Sequence, residues 1–375
     1  MTILSSDFHV VHASGGDWEN LTRTCLENLG DLPRGTNVGF LYMTDCLDED
    51  VRSIFNLLRS KTNIHNWVGT LGFGICISGE ELFDVPAMAV MVGHLPVNSF
   101  HTLPVIKPDT IELKPEFLHW AKDKNPTLGL VHADPRVPNI EKTLAMIQGS
   151  TGCFLVGGIT SSRGAHEQVV DEVTDGGVSG ILFGSEIKAC TGITQGCTPI
   201  GGFHMVTSVE GNIIQSLDKR PAFEVFRDDI GDLLAHDLRR TQGYVHAALP
   251  VRGSDTGDYL VRNLVGVSPD DGTVAIGDFV DVGDMVMFVR RDGASAISDL
   301  KRMVSDLKNR MDVPIKAAFY ISCVARGPNL FGKGSVELKT IQKILGDLPL
   351  IGFFANGEIS NNSLHGYSGV LTLLG

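Results

Sequence analysis

The chain has no cluster of Lys and Arg, no apolar run near ~18 residues, no close pair of cysteines and no histidine spacing of a metal site. Each absence removes a class of function. Without a basic stripe to follow phosphates, and with 44 acidic against 31 basic residues for a net charge of −13, nucleic acid is not an expected partner. Without a long apolar run no membrane span is expected. The start, "MTILSSDFHVVHAS", places Asp7 and His9 where a secretory leader is continuously apolar, so the expectation is a soluble cytoplasmic protein. Seven cysteines lie scattered at 25, 46, 76, 153, 190, 197 and 323, which reads as reduced thiols. Twelve histidines include no H-x-x-x-H or H-x-x-E-H, so no metal or other cofactor is expected. "GFG" stands outside the full G-x-G-x-x-G spacing that a dinucleotide needs.

Glycine, by contrast, is abundant: 43 of 375 residues, against about 7% in average chains. A chain of 375 residues suits two or three domains. Part of the glycine belongs to an internal repeat. "VGFLYMTDC" reads as a strand, and the following residues put Val51, Ile54, Phe55, Leu57 and Leu58 on one side of a helix. A second strand then breaks at "GTLGFG". The same order recurs from "LGLVHADP" to "CFLVGGITSSRG", and from "AAFYISCVARG" to "PLIGFFANGEIS". From the last apolar residue of the first strand to the glycine break the spacings are 26, 26 and 31 residues. A further apolar segment follows each break, at 85–93, 176–184 and 367–375. The pattern predicts an α/β protein of two domains with mixed sheets, built from repeated strand, helix, strand, Gly turn, strand units. The last two strands of each unit are expected to pair as a hairpin. The glycine itself serves either a positive φ or a close approach to bare backbone.

Between the second and third units, "MVTSVEGNIIQSL" predicts a hairpin around Glu210-Gly211-Asn212, and three more strands follow, parted by "SPDDG" and "DVG". A helix from Ala222 to about Arg240 marks the expected boundary, giving domains 1–221 and 222–375.

Ligands in α/β proteins collect beyond the carboxyl ends of strands. Those ends carry Asp45 and Cys46, His132 and Asp134, and Ser322, Cys323 and Arg326. Arg326 could clamp a carboxylate or pair with Glu358 across two loops. Glu358 and its counterpart Glu80 follow Gly turns, suited to a ligand ammonium or to backbone N–H groups. The expected arrangement sets Arg326, Glu358, Asn356 and Ser322 on one rim around Gly352 and Gly357. Cys197, in "ITQGCTPIGG", reads either as an exposed nucleophile or as a buried structural cysteine.

Several of these stretches together resemble one family. "ARGPNLFGKGSVELKTIQKILGDLPLIGFFANGEISNNSLHGYSGVLTLL" is similar to the carboxyl-terminal domain of FIST proteins, named for F-box and intracellular signal transduction proteins. "QGCTPIGGFHMVTSVEGNIIQSLDKRPAFEVF" resembles the end of the family's amino-terminal domain, and "GGITSSRG", with Arg163, followed by "GGVSGILF", its middle. The resemblance implies a sensory module that binds a small ligand such as an amino acid, with Arg163 and Cys197 added to the expected ligand-binding set. No F-box is expected before Val38 and no output domain after Gly375, so output is expected from a separate signalling protein. The alternatives are a haem-binding gas sensor using a histidine such as His132 or His204, and an enzyme using Cys197.

Overall fold

The computed structural model of the chain describes residues 3–4, 7–110, 112–231, 241, 243–251 and 259–375. They form an α/β protein in two compact units. One takes Met1–Gln195, Ile297–Leu364 and Ser368–Gly375, and the other takes Gly196–Ala296 and His365–Tyr367. The sequence reading expects domains 1–221 and 222–375, whereas the compact units group residues 196–296 with 365–367 and the rest together.

The first unit is a threefold repeat. Its first copy runs β1 (Phe8–Ser14), α1 (Trp18–Leu29), β2 (Val38–Thr44), α2 (Val51–Thr62), β3 (Asn66–Gly72), the pair β4 (Gly74–Ile77) and β5 (Glu80–Phe83), then β6 (Ala87–Gly93). The second runs β7 (Phe100–Ile106), α3 (Pro115–Lys124), β8 (Leu128–Ala133), α4 (Ile140–Thr151), β9 (Phe154–Ile159), β10 (Gln168–Val170), β11 (Val173–Thr174) and β12 (Val178–Phe183). The third opens with β13 (Ala189–Gln195) and resumes after the second unit's main segment. It continues α5 (Gly293–Arg310), β14 (Ala317–Cys323), α6 (Val336–Leu345), β15 (Leu350–Ala355), β16 (Glu358–Ser360), β17 (Ser363–His365) and β18 (Ser368–Leu374). The first two copies span 86 and 84 residues.

Local chemistry sets the helices. In α2, Val51, Ile54, Phe55 and Leu58 form the buried stripe of a 3.6-residue period, and Asn63 ends the helix in the left-handed conformation, its N–H donating to the Arg59 carbonyl. Gly152 closes α4 in the same way at φ 74°. Gly149, inside α4, has nothing within 4 Å of an added Cβ. Gly149→Ala is therefore expected to stabilise the protein by about 0.5–1 kcal/mol, because alanine loses less backbone freedom in a helix. A melting temperature at or below that of the parent protein would contradict this.

Strand pairing departs from the expected hairpins. In every repeat the two strands joined by a helix lie parallel: β2 with β3, β8 with β9, β14 with β15. The last strand, however, pairs with the first of these rather than with the one across the Gly turn: β6 with β2, β12 with β8, β18 with β14. The short pair after each Gly turn leaves for another sheet. Thus β4 joins β15, β10 joins β3 and β16 joins β9. The sheet orders are accordingly β1-β6-β2-β3-β10-β11, β7-β12-β8-β9-β16-β17 and β13-β18-β14-β15-β4-β5. Each repeat completes a neighbour's sheet, so the edge that one copy leaves open another covers.

The three glycines expected to break the second strands lie inside them instead, within β3, β9 and β15, and are equivalent in register. Gly69 faces Leu41, Gly157 faces Val131 and Gly352 faces Tyr320 on the parallel neighbour. A Cβ on any of them would stand 1.8 Å from that neighbour's carbonyl oxygen. Close approach of backbone is thus the common requirement, with a positive φ only at Gly157, 143°. The inner faces of the three sheets share one core, to which Phe40, Leu130, Phe319 and Phe353 contribute, and α1 to α6 cover the outer faces. At its centre the rings of Tyr42, His132 and Phe353, one from each copy, lie 5.3–5.7 Å apart.

In the second unit six strands close into a barrel: Met285–Arg291, His204–Glu210, Ile213–Leu217, Thr273–Ile276, Tyr259–Ser268 and Val245–Pro250. The first pairs with both the second and the last. The hairpin predicted around Gly211 is present, with φ 63° at that residue. The helix Ala222–Ile230 places Val225, Phe226 and Ile230 in the barrel core. The rest of the predicted helix, 232–240, lies outside the described residues. No helix among the described residues is long and apolar enough to cross a membrane.

Candidate functional site

The chain leaves β14 through a tight turn in which Arg326 donates its N–H to the Cys323 carbonyl at 2.8 Å. That turn directs the arginine back into the protein, where it is fully buried. Glu337, in the first turn of α6, is equally buried and receives it. Its Oε1 accepts from Arg326 Nε at 2.8 Å, with Nη2 at 2.6 Å, and from the Tyr320 hydroxyl. Oε2 accepts from Ser322 Oγ at 3.1 Å and from the Gly327 N–H at 3.3 Å. Phe331 lies 5.3 Å from the guanidinium. Burial works against the arginine's charge, but Glu337 outweighs it and holds the group protonated. Burial, reinforced by Glu337, likewise keeps the Tyr320 phenol neutral.

Glu81, from β5 of the first repeat, reaches the start of α6. Its Oε1 accepts the Leu338 N–H at 3.3 Å, and burial followed by the charge of Glu337 pushes it up to about 7. Glu358 opens β16 and is fully buried. Oε2 accepts from Ser368 Oγ at 2.7 Å and from its N–H at 3.2 Å. Oε1 has no nitrogen or oxygen partner among the described residues. Burial raises Glu358 to about 8, although Ser368, Arg326 and the Cys323 thiol pull the other way.

Of the residues expected to line one rim, the fold brings Arg326 and Ser322 together on Glu337, and puts Glu358 within the field of Arg326. All of these are buried, whereas Asn356 is exposed and donates its N–H to Ile159 at 2.9 Å. Gly357, at φ 137°, accepts from the Ile159 N–H at 2.9 Å. Gly352 is packed against β14 as described above. The ion pair that sequence reading drew between Arg326 and Glu358 is made with Glu337 instead, because the turn after β14 faces α6. Glu337 is not among the residues singled out from sequence, and its place in the first turn of α6 was the one available signal. Glu80 is no structural counterpart of Glu358: it opens the second strand of its pair, half-exposed beside His12 at 3.2 Å.

Arg163 lies elsewhere in the first unit. It grips Asp45 with Nε at 2.7 Å and Nη2 at 2.8 Å, reaches Asp84 at 3.0 Å, and passes over the Phe73 ring. Cys197 belongs to the second unit, buried, with its carbonyl accepting the Tyr259 hydroxyl at 2.6 Å. His132 is fully buried with Nε2 against Tyr42 at 2.9 Å, and burial lowers it to about 3, so it is neutral. His204 has both ring nitrogens on carboxylates, Asp218 at 2.6 Å and Asp229 at 3.0 Å. No group of three or more metal-ligating side chains is gathered among the described residues.

Comparison with known proteins agrees with the resemblance in sequence. An uncharacterized protein of Mycobacterium tuberculosis, MT0656, is 31% identical over 327 residues, 82% of each chain. Another, Mb0898c of Mycobacterium bovis, is 33% identical over 240 residues, 59% of this chain and 60% of the relative. The FIST N domain model matches residues 37–220 and the FIST C domain model residues 222–361. The chain therefore belongs to the FIST family, whose domains are associated with the sensory side of signal transduction.

Proposed function

We propose that this protein is a small-ligand sensor that binds an amine-bearing metabolite, amino acids included, at Glu358 and passes the signal to a separate protein. One observation carries the reading: a fully buried carboxyl group whose Oε1 has no nitrogen or oxygen partner among the described residues. Such an oxygen is costly to leave unbonded, and a ligand ammonium is the donor its charge suits best. Asn356 and Gly357 lie on the turn that leads into β16. Arg326 and Ser322 are both held on Glu337, and Gly352 lets β15 lie tight against β14. Arg326 sets the local field rather than clamping a ligand carboxylate, since its Nε and Nη2 both lie against Glu337 Oε1. Arg163 and Cys197 have no part in this site.

The reading makes a signed prediction. Glu358 titrates near 8, so at pH 7 it is mostly protonated and ammonium binding must expel that proton. Affinity is expected to rise from pH 6 to pH 8 and then level. Without ligand, stability is expected to fall over pH 4.5 to 8, where an unfolded glutamate has ionised and the folded one has not. Glu358→Gln should abolish the affinity trend and flatten the stability trend above about pH 7, while Glu81, pushed up to about 7, keeps its own share of the fall below it. Native mass spectrometry of fresh protein, then calorimetric titration with amino acids and simple amines at pH 6, 7 and 8, is the test. Equal binding by Glu358→Gln, or no binding of any amine, would overturn the assignment.

A further inference from the structure

The outer face of α6 lines a groove with α5, about 590 Å³ in volume. Lys339 and Lys343 enter it from α6, with Val336, Thr340 and Ile344 between and beyond them, and Lys301 enters from α5. These α6 positions form one stripe at the helical period, running about 12 Å from 336 to 344 at 1.5 Å per residue. None of the three lysines forms an ion pair among the described residues, and no acidic side chain lines the groove. In a chain of net charge −13 this is an unbalanced positive strip with aliphatic side chains set along it.

From this we infer that the groove is a docking site for an acidic, amphipathic segment of another protein. Charge complementarity selects the occupant's sign. The length of the stripe and the aliphatic residues at its two ends suit a peptide carrying apolar anchors among its carboxylates better than a compact anion. The same helix carries Glu337 on its inner face, where it holds Arg326, so a displacement at the buried cluster reaches the groove through one rigid element. The inference rests on the sensory reading only in supplying its output partner. Docking is measured with no small ligand present, so its failure and that of the amine site are separate results.

The probe is a fluorescein-labelled synthetic peptide with Glu and Leu patterned for one helix face, followed by anisotropy. A matched peptide with Gln for Glu is the control. Lys339→Glu/Lys343→Glu alters only exposed, unpaired side chains, and circular dichroism checks that it folds. The expected result is saturable binding of the acidic peptide, weakened tenfold or more in the double variant and also by added salt. Absent binding, equal binding of the Gln peptide, or an unchanged double variant would overturn the proposal. Displacement of the peptide by inorganic phosphate, but not by chloride at equal ionic strength, would also do so by making the groove a simple anion site.

Discussion

Replacing Glu337 with leucine is expected to destabilise the protein by about 3–5 kcal/mol, the usual consequence of stripping one partner from a buried ion pair. The carboxylate takes donors from Arg326, Tyr320, Ser322 and Gly327, so its loss leaves a full charge and several polar groups without an acceptor. Arg326→Met alone is expected to cost a similar amount, because it strips the buried Glu337 carboxyl of its cation. The double variant Arg326→Met/Glu337→Leu should cost clearly less than the two single losses added, since neither charge is stranded. Urea unfolding of the four proteins gives the cycle directly. A loss below about 1 kcal/mol for either single variant would mean that the pair is not buried as described.

Gly352→Ala has the second large expected effect. The added methyl would stand 1.8 Å from the Tyr320 carbonyl oxygen and 2.7 Å from its carbon. Both belong to backbone inside a ladder and cannot rotate away. The two strands must separate along their hydrogen bonds, and a loss of about 3 kcal/mol or more is expected, at the upper end for an overpacked core site. Gly69→Ala and Gly157→Ala meet the same 1.8 Å contact and should behave alike. Thermal melts of the three variants, beside the oppositely signed Gly149→Ala, decide the matter. Tolerance of alanine at any of the three equivalent sites would deny that close strand approach is what the glycines serve.

Much of the repeat is legible along the chain. The stripe Val51, Ile54, Phe55, Leu58, the apolar runs that become β2, β8 and β14, and the glycine in each partner strand are local patterns, and local patterns persist whatever the distant chain does. The hairpin around Gly211 belongs with them, since its turn and both its strands lie within a dozen or so residues.

Sheet order is a different kind of fact. The run after Gly72 pairs with β15 instead of returning to β3, because β10 from the second repeat covers that edge. Nothing within one repeat encodes which sheet its short pair will join; that depends on all three copies being assembled at once. Glu337 makes the same point for the site. By itself it is a first-turn acid that could as well be solvated, and it becomes the acceptor of a buried cluster when the crossover sets α6 against β14 and the Arg326 turn. Glu358 could be seen in the sequence as a carboxylate after a glycine turn, but its burial and its unpartnered oxygen come from β9 and Ser368, one from another repeat and one from a later strand. Periodicity, caps and close-approach glycines act over a few residues and so were determined by the sequence alone. Strand partners, burial and the field around a charge are sums over distant chain segments, and only the tertiary structure decided them.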